Sequence, residues 1–420
     1  MEIKTLRGIK DILPVEIKKW QYVELNCRKI LENFNFSEIR TPIFEKTELF
    51  IRSVGKSSDI VNKEMYTFID KGGESITLKP EGTASVIRAY LEHKMYAQEQ
   101  ITKLYYFSPM FRYERPQSGR YRQHYQLGVE VIGTKNFIID LEIFILITTI
   151  LETLGMKNFE IKINSVGCNI CRNKYIEVLK ESIFSNISSF CEDCQNRFKI
   201  NPLRILDCKK DNCRALLQKG PFIKDFLCSE CKDHHLKLIK YLDFFKVKYV
   251  LDSFLVRGLD YYTKTVFEIT SPFLGAQNSF GGGGRYDKLV QELGGNDISC
   301  IGFSFGLERL IQAMEKSNVN FPEKKEIEFY FVYLGEKALE KIIELVFLFR
   351  TKNYYVHFSY ENVSFKNQLK QANKLGVKYC LILGENELQK ELILLKDMEQ
   401  GIQEEVSLQN LVKKLEELVK

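Results

Sequence analysis

Long apolar stretches are missing from this sequence of 420 residues. A membrane-spanning helix needs about 18 or more consecutive apolar residues, and no such run occurs. The opening residues, MEIKTLRGIKDILP, have neither the apolar core nor the small-residue cleavage site of a secretory signal. We therefore expect a soluble, cytoplasmic protein with no membrane partner.

The common nucleotide-binding motifs are also absent. The string Gly55-Lys56-Ser57 resembles the end of a P-loop, but Phe50 stands where the first glycine of that motif is required. The glycines at 281–284 do not match G-x-G-x-x-G and do not open a βαβ unit. If the protein uses ATP, it must bind it on another kind of scaffold.

Disulfide bonds are not expected, because the eleven cysteines come without a secretory signal. Eight of them form four closely spaced pairs: Cys168-x2-Cys171, Cys191-x2-Cys194, Cys208-x4-Cys213 and Cys228-x2-Cys231. The first two pairs have the spacing of a structural zinc site, and the last two form a looser second set. Reduced cysteines packed as small apolar side chains are the alternative, and the sequence leaves both open.

Neither sign of charge dominates, since 61 lysines and arginines face 55 acidic residues, for a net charge of +6. Residues 168–248 hold 16 basic and 10 acidic side chains, so this segment alone carries an excess equal to the net charge of the chain. A basic segment is often only a solvated surface. The more specific interpretation is a polyanionic partner such as a nucleic acid.

Hydrophobic periodicity predicts the elements of the first half. An amphipathic helix follows Pro14, and a short strand at 39–42 comes after it. An antiparallel hairpin is predicted next, with arms at 104–114 and 121–132. Alternation places His124, Gln126, Gly128 and Glu130 on one face of the second arm. The missing side chain of Gly128 would leave space there for a ligand.

The second half is predicted to contain further strands and helices and a separate C-terminal unit. A helix at 140–154, strands at 254–256 and 265–269 and a helix at 307–315 precede a linker at 317–325. Beyond the linker, apolar runs at 329–334, 356–358 and 379–383 alternate with helical patterns at 337–350 and 364–375. This βαβ alternation predicts an α/β domain.

Three strings occur in a fixed order along the chain. The helix before residue 39 is followed by Phe111-Arg112-Tyr113-Glu114-Arg115 on a hairpin arm, and then by GFSFGLERL at 302–310. They resemble motifs 1, 2 and 3 of class II aminoacyl-tRNA synthetases, in that order. Three motifs in sequence, each in its expected structural context, are far more specific than one short string.

Further strings resemble the signatures of histidyl-tRNA synthetases in particular. They are RGLDYYT at 257–263, VFE at 266–268, GGRYD at 283–287, KPEGT at 79–83, QLGVE at 126–130, and the segment from Arg7-Gly8 to Pro14. The C-terminal unit resembles the anticodon-binding domain of that family. The resemblance therefore covers essentially the whole chain.

The resemblance implies an architecture of three domains. An α+β catalytic domain with the antiparallel sheet of class II synthetases would comprise residues 1–167 and 249–320. A mainly helical, cysteine-rich and basic domain would be inserted at 168–248. An α/β anticodon-binding domain would follow at 326–420.

The resemblance also implies the reaction. Histidine--tRNA ligases activate L-histidine with ATP and Mg²⁺ and transfer the histidyl group from the adenylate to tRNA(His), as homodimers. Histidine would be bound by Glu81, Gly82, Thr83, Gln126, Glu130, Tyr261, Tyr262 and Tyr286. The catalytic residues would be Arg112 and Arg257, and ATP would contact Arg112, Glu114, Arg257 and Arg309. The acceptor end of the tRNA would meet Arg115, Gln117, Arg120 and Arg122.

The chemistry suits these residue types. Carboxylates and hydroxyls accept hydrogen bonds from the ammonium and ring N–H groups of histidine, and tyrosines can stack on its imidazole. Negative charge builds up on phosphate oxygens during activation, so fixed cations are the main requirement. Taken alone, a tyrosine pair indicates core packing and an arginine indicates a surface ion pair. Their position within the motifs favours the functional interpretation.

Two other functions are compatible with the same fold. A regulatory subunit of histidine biosynthesis resembles these synthetases without their activity, but such paralogues generally lack the anticodon-binding domain and depart from the string at 257–263. A class II synthetase for another amino acid would leave that string unexplained.

Overall fold

The computed structural model describes residues 3–55, 58–116, 118–275, 277–322, 327–361 and 363–419. Its contacts separate a first unit that ends at Pro322 from a second unit that contains 327–361 and 363–419. Gln117 and the Lys56-Ser57 part of the P-loop-like string lie outside the described residues. Within the described ranges, no helix is both long enough and apolar enough to cross a membrane.

The first unit mixes helices and strands. Its helices are α1 (Pro14–Asn33), α2 (Thr47–Val54), α3 (Thr83–Glu92), α4 (Phe137–Thr153), α5 (Asn169–Phe184), α6 (Glu192–Ile200), α7 (Asp211–Leu217), α8 (Ser229–Phe244), α9 (Leu289–Glu292) and α10 (Leu307–Lys316). Its strands are β1 (Ser37–Glu38), β2 (Phe44–Lys46), β3 (Tyr66–Ile69), β4 (Ser75–Leu78), β5 (Thr102–Phe111), β6 (Gln123–Ile132), β7 (Glu160–Ser165), β8 (Val250–Leu251), β9 (Thr263–Thr270), β10 (Ser279–Arg285) and β11 (Cys300–Gly306).

In the described residues, the main sheet has eight strands in the order β1-β5-β6-β11-β10-β9-β7-β8. The central pairs are antiparallel, and only the short outer strands β1 and β8 pair in parallel. One face packs on α1, α4 and α10, where Trp20, Leu127 and Phe144 share a core. The predicted antiparallel class II sheet and its hairpin of β5 and β6 are therefore confirmed.

Two predicted strands are wrong. The strand predicted at 39–42 lies instead at Ser37–Glu38, where it pairs with β5. Of the predicted residues, only Ile39 extends the hydrogen bonding to β5, since its amide donates to the carbonyl of Tyr105 at 2.8 Å. Residues 254–256 form no strand: Leu255 is buried in the core of the insert, and its carbonyl accepts from the side chain of Asn164 at 2.9 Å. The apolar pattern reflects burial, nearly complete for Leu255 and partial for Ile39, but neither segment forms a strand.

The glycine run at 281–284 forms the central strand β10. Gly283 pairs with Phe303 on one side and with Phe267 on the other. A Cβ on Gly283 would collide with the carbonyl of Gly302, so the close approach of these strands requires glycine here. Glycine has a low propensity for β-strands, so the sequence does not predict a strand here. Pairing with β9 and β11 on either side overrides that low propensity.

The insert at 168–248 is mainly helical, as predicted, and it shares its core with the rest of the first unit. Tyr175, Leu179 and Leu217 pack with Val266 of β9. At the other end of the insert, Leu238 of α8 is buried in the main core below the sheet. The precise boundaries of this domain stay a prediction, because both ends of the segment are continuous with the sheet.

The cysteines of the insert group differently from the predicted sets. None of the eleven cysteines, all of them in the described part of the chain, forms a disulfide bond. One group joins the first and last pairs, Cys168, Cys171, Cys228 and Cys231, and the other joins the middle pairs, Cys191, Cys194, Cys208 and Cys213. The prediction that the first pair joins the second, and the third joins the fourth, is wrong. The helices α5 and α8 begin side by side and so bring the first and last pairs together at the two ends of the insert.

A buried ion-pair network connects the sheet, α4 and the insert. The guanidinium of Arg285, at the end of β10, donates to both carboxylate oxygens of Asp140 at 2.9 and 3.1 Å. Its other N–H groups reach the carbonyls of Thr134 and Asn136, each at 3.2 Å. His234 of α8 lies 3.1 Å from Asp140. Burial opposes ionisation of Asp140, but Arg285 holds its pKa below the ordinary value.

The second unit is an α/β domain, as predicted. Its strands are β12 (Phe329–Tyr333), β13 (Val356–Phe358), β14 (Tyr379–Leu383), β15 (Leu392–Asp397) and β16 (Gln403–Ser407), in the order β13-β12-β14-β15-β16. Its helices are α11 (Glu336–Thr351), α12 (Phe365–Leu375), α13 (Glu385–Gln389) and α14 (Leu411–Val419). The first three strands are parallel, and the sequence prediction missed the antiparallel β15 and β16.

Candidate active site

A cavity of about 340 Å³ lies on the face of the main sheet opposite the α1–α4 core. On β6, His124 and Gln126 face this cavity while Tyr125 and Leu127 pack into the core, as alternation predicted. The predicted residues in its wall are Glu81, Thr83, Arg112, Glu114, Arg120, Gln126, Arg257, Tyr261, Tyr262, Tyr286 and Arg309. Segments far apart in the sequence thus meet at one site.

Two buried carboxylates lie at one end of the cavity. Glu81 accepts from the amides of Thr83 and Ala84 at 2.8 and 2.9 Å, and so satisfies the N-terminal N–H groups of α3. Glu130 lies behind the wall, where it accepts from the hydroxyls of Thr83, at 2.7 Å, and Tyr286. Thr83 therefore connects the two acidic residues.

Burial favours the neutral form of both acids. It raises the pKa of Glu130 to about 8, and the negative charge of Glu81 adds to the shift. Burial also raises the pKa of Glu81, against the hydrogen bonds from Ala84 and Thr83. A cationic ligand beside these groups would offset the cost of burying negative charge, so this end of the cavity favours a cation.

The space predicted beside Gly128 is occupied by a protein side chain. A Cβ on either Gly82 or Gly128 would collide with the ring of Tyr106. The phenol of Tyr106 lies 3.5 Å from Glu130 and lines the cavity. Both glycines thus make room for a tyrosine, and Gly82 itself does not line the cavity.

Three tyrosines form an aromatic wall beside the carboxylates. The ring centroid of Tyr261 lies 4.8 Å from that of Tyr262 and 5.6 Å from that of Tyr286. Tyr261 and Tyr286 are almost fully buried. The rings are inclined to one another by 50° and 67°, and pairs at these distances and angles stabilise one another. All three tyrosines line the cavity.

Of the five described arginines that line the cavity, three were predicted to contact ATP. Arg112 is anchored through Nε to the carbonyl of Pro80 at 2.7 Å, and Arg257 donates to Glu268 at 3.3 Å. Arg309, in the first turn of α10, donates from Nε to the carbonyl of Ser279 at 2.7 Å. Among the described groups, the buried Nε of Arg257 has no hydrogen-bond partner. Arg257 also lines the cavity, where a guanidinium favours an anionic ligand.

The hairpin loop holds the remaining predicted residues. Glu114 lies 3.4 Å from Arg120 and 3.9 Å from Arg112. The guanidinium of Arg122 stacks on the ring of Tyr113 at 3.9 Å and does not line the cavity. Arg115 is exposed to solvent. Of the three arginines predicted to bind tRNA, all of which the structure describes, only Arg120 lines the cavity.

Several lining residues had not been singled out. Burial, together with the positive charge of Arg112, lowers the pKa of His124 to about 3, so its imidazole is neutral at physiological pH. The carboxylate of Glu308 accepts from the amide of Tyr125, and burial raises its pKa to about 7. Alternation had placed His124 on the correct face, and Glu308 belongs to the third motif.

One lining residue comes from the insert. Arg204 lies in the short 3₁₀ helix Pro202–Asp207 and forms an ion pair with Asp59 at 2.6 Å. Both residues line the cavity, together with Ile60 and Glu64 of the neighbouring π-helical turn. No motif or spacing in the sequence indicates this long-range contact.

Comparison with known proteins places the chain within one family. The model of histidyl-tRNA synthetases matches residues 8–172 and 212–310, and that of the anticodon binding domain matches 328–418. The histidine--tRNA ligase of Halothermothrix orenii is 47% identical over 419 residues, with full coverage of both chains. That of Clostridium botulinum is 44% identical and covers 100% of this chain and 99% of its own.

Solved structures agree. The apo histidyl-tRNA synthetase of S. aureus is 38% identical with a TM-score of 0.84, and the match covers 99% of this chain and 100% of that one. A Bacillus halodurans protein described as an ATP phosphoribosyltransferase regulatory subunit/histidyl-tRNA synthetase has a TM-score of 0.67. It is 20% identical over 91% of this chain and 99% of its own, and shares only the fold.

The raised pKa of Glu130 predicts a pH-dependent stability. Folding raises this pKa from 4.5 to about 8, so the folded protein binds the proton more tightly than the unfolded chain. The free energy of unfolding should therefore fall with rising pH across this interval, by up to about 1 kcal/mol per pH unit from this group. Glu130→Gln should remove this contribution.

Urea unfolding without substrates, at several values between about pH 5.5 and about pH 7.5, measures the difference. The single tryptophan, Trp20, is buried in the core of the first unit, so its fluorescence reports on that unit. Glu152→Gln, an exposed change on α4, is the control. Equal pH profiles for Glu130→Gln and the unmodified protein would contradict the prediction.

Proposed function

The chain belongs to the histidyl-tRNA synthetase family and is a histidine--tRNA ligase, and we propose that its cavity binds L-histidine and ATP and forms histidyl-adenylate. One observation carries the proposal. The cavity has two buried carboxylates at a site that favours a cation and three arginines that favour an anion. An amino acid and a nucleoside triphosphate, brought together at their reacting ends, match this arrangement.

Histidine is proposed to bind at the acidic end. Glu81, Thr83 and Gln126 offer oxygen acceptors to its ammonium and imidazole N–H groups. Glu130 accepts from the hydroxyls of Thr83 and Tyr286 behind the wall and so holds both in place. Tyr261 and Tyr262 then complete an aromatic wall for the imidazole. Gly82 contributes indirectly, because it admits Tyr106 to the wall.

Activation is proposed to depend on the arginines. An oxygen of the histidine carboxylate bonds to the α-phosphorus of ATP, and the bond from that phosphorus to pyrophosphate breaks. Arg112 and Arg257 would stabilise the charge that develops on the α-phosphate oxygens. Arg309 would contact the outer phosphates and the adenine region, and Glu114 would accept from the adenine amino group. These arginines are held by fixed partners, so little reorganisation is needed during the step.

The family implies Mg²⁺ as well, and the residues present fit it. Asp59, Glu64 and Glu114 bring carboxylate oxygens to the cavity, and these are the donors that Mg²⁺ prefers. Magnesium would neutralise the outer phosphates of ATP. Proteins usually bind it through one or two carboxylates together with the phosphates, and these three carboxylates include enough donors for such a site.

Transfer to tRNA(His) is proposed to involve the hairpin loop, the insert and the second unit. Arg115, Arg120 and Arg122 lie on or near the loop beside the cavity, and together with Gln117 they would contact the acceptor end. The basic insert would contact the acceptor arm, and residues 327–419 would bind the anticodon. Phosphate contacts of this kind position an RNA, whereas contacts to bases specify it. The reaction is expected in the cytoplasm.

A homodimer is proposed for the assembly. The helix α1 corresponds to motif 1, which forms the two-fold interface in class II synthetases. Several apolar side chains on and just before α1 are exposed, namely Leu13, Val15 and Leu25. A second copy could cover them through an isologous contact. Light scattering at micromolar concentration should give twice the chain mass of 49.2 kDa, and a monomer alone would contradict the proposal.

The proposed function predicts the amino acid that supports pyrophosphate exchange. L-Histidine alone should support ATP–pyrophosphate exchange, because only its imidazole matches the acceptors and aromatic wall at the acidic end. The assay compares all the standard amino acids at equal concentration. Exchange with another amino acid but not histidine would overturn the substrate. No exchange with any of them would indicate a regulatory protein.

The unpartnered Nε of Arg257 predicts a specific effect of its replacement. Arg257→His should lower the rate of activation by about 10²- to 10³-fold, while the affinity for histidine changes little, because the charge is needed mainly in the transition state. Arg257→Lys should also be poor, since an ammonium lacks the planar fork of a guanidinium. Exchange rates give the first quantity, and calorimetric binding of histidine gives the second.

Arg52→His is a suitable control, because Arg52 is exposed on α2 and pairs only with the exposed Glu48 within its own helix. It should leave exchange unchanged. If Arg257→His activates histidine at a near-normal rate, the assignment of Arg257 to the α-phosphate is wrong.

A further inference from the structure

We propose that the insert binds two structural zinc ions, each through four cysteine thiolates. The base site consists of Cys168, Cys171, Cys228 and Cys231, and the tip site of Cys191, Cys194, Cys208 and Cys213. The base site joins the start of α5 to the start of α8. The tip site holds together the segment that contains α6, the 3₁₀ helix 202–207 and the start of α7.

The sulfur positions fit tetrahedral zinc. Within each group, all four sulfurs lie within 4.8 Å of one another. Zinc–sulfur bonds of about 2.3 Å place the sulfurs of a tetrahedral site about 3.8 Å apart. The sulfurs of Cys168 and Cys171 are 3.6 Å apart, and those of Cys191 and Cys208 are 3.9 Å apart. These separations are much longer than a disulfide bond of about 2.05 Å.

The backbone supports the thiolates. The amide of Cys228 donates to the sulfur of Cys171 at 3.1 Å, and the amide of Cys191 donates to that of Cys213 at 3.3 Å. Hydrogen bonds to ligand sulfurs orient them and stabilise their negative charge. Cys168 also lies at the N-terminal end of α5, where the helix dipole favours an anion. Each site is thus organised beyond its four sulfurs.

Packing of reduced thiols explains this arrangement less well. Cys27, Cys300 and Cys380 are buried as small apolar side chains, and each belongs to a different core cluster. The eight cysteines of the insert instead converge in two groups of four. Among the described residues, no other set of potential ligands converges in this way. Apolar packing has no need for four thiols to meet at a point.

The insert also has a physical need for metal. The base site connects residues 57 positions apart, and the tip site connects residues 22 positions apart. The segments between them are short helices and 3₁₀ turns around a small core. Structural zinc supplies folding free energy to segments of this kind. Residues 173–211, which hold most of the tip ligands, fall outside the parts of the chain matched by the family model.

The tip site reaches the active site through Arg204. This residue lies between two tip ligands, Cys194 and Cys208, and its guanidinium pairs with Asp59 in the wall of the cavity. The ion pair holds the turn that carries Ile60 and Glu64 against the cavity. We therefore assign Arg204 a positioning role that depends on tip zinc. This part rests on the proposed function, whereas the metal sites do not.

Metal analysis of the full-length protein, purified without chelator, tests the sites directly. We expect two zinc ions per chain. The double variant Cys168→Ser/Cys231→Ser should retain one ion, and so should Cys191→Ser/Cys208→Ser. The variant Cys27→Ala, at a buried cysteine outside both groups, should retain two. One ion or none in the unmodified protein, or loss of both ions in either double variant, would overturn the assignment.

A ligand-preserving variant guards against simple misfolding. Cys208→His offers an imidazole nitrogen in place of the sulfur, and Cys3His is a common structural zinc set. It should retain two ions, and its cobalt-loaded form should show the visible bands of a tetrahedral thiolate complex. If Cys208→His loses zinc while circular dichroism shows an intact fold, the tip ligand set is wrong.

Kinetics test the positioning role separately. Arg204→Ala should raise the KM for ATP or histidine in pyrophosphate exchange several-fold, with a smaller change in kcat and two zinc ions still bound. The tip double variant should raise KM similarly, and combining it with Arg204→Ala should add little, because both act through the same contact. Arg204→Lys should restore part of the effect. Additive effects would overturn the link, even if the zinc count is two.

Discussion

The buried pairing of Arg285 with Asp140 is the contact on which the rest of the catalytic unit depends. A charge fully removed from water is stable only when it is paired and hydrogen-bonded, and breaking such a pair costs about 3–5 kcal/mol. Arg285 meets this condition with Asp140 and with two carbonyls that precede α4. Because Arg285 ends β10, the pairing fixes where the next residue, Tyr286, meets Glu130. His234 brings α8 of the insert to the same point.

The charged groups of the candidate active site differ from this pair, because they are less completely partnered. Glu81 and Glu130 are buried with hydrogen bonds but without a cationic partner, and their neutral forms are favoured accordingly. Arg257 keeps a buried N–H group without a partner. Substrates of opposite charge would supply what each end lacks, so binding energy can be directed to the reacting groups. In the core network, protein groups alone balance the buried charges. In the cavity, ligands would be needed to balance them.

Sequence reasoning succeeded where a local pattern determines the outcome. Alternation along β6 placed Gln126 and Glu130 on the site face, and the βαβ pattern identified the second unit. It failed where distant segments meet. The strand formed by Gly283, the tyrosine that fills the space beside Gly128, the contact of Arg204 with Asp59 and the partition of the cysteines all depend on neighbours far away in the chain.

The proposed zinc sites would also change the electrostatic character of the insert. The excess of six positive charges at 168–248 counts every cysteine as neutral. A zinc ion with four thiolates leaves two negative charges, so filling both sites reduces the excess to two. Long-range attraction of an RNA would then be weak, and the proposed RNA binding would depend on basic side chains held in fixed places. Loss of zinc would reverse this balance: the insert would attract polyanions more strongly while holding them with less precision.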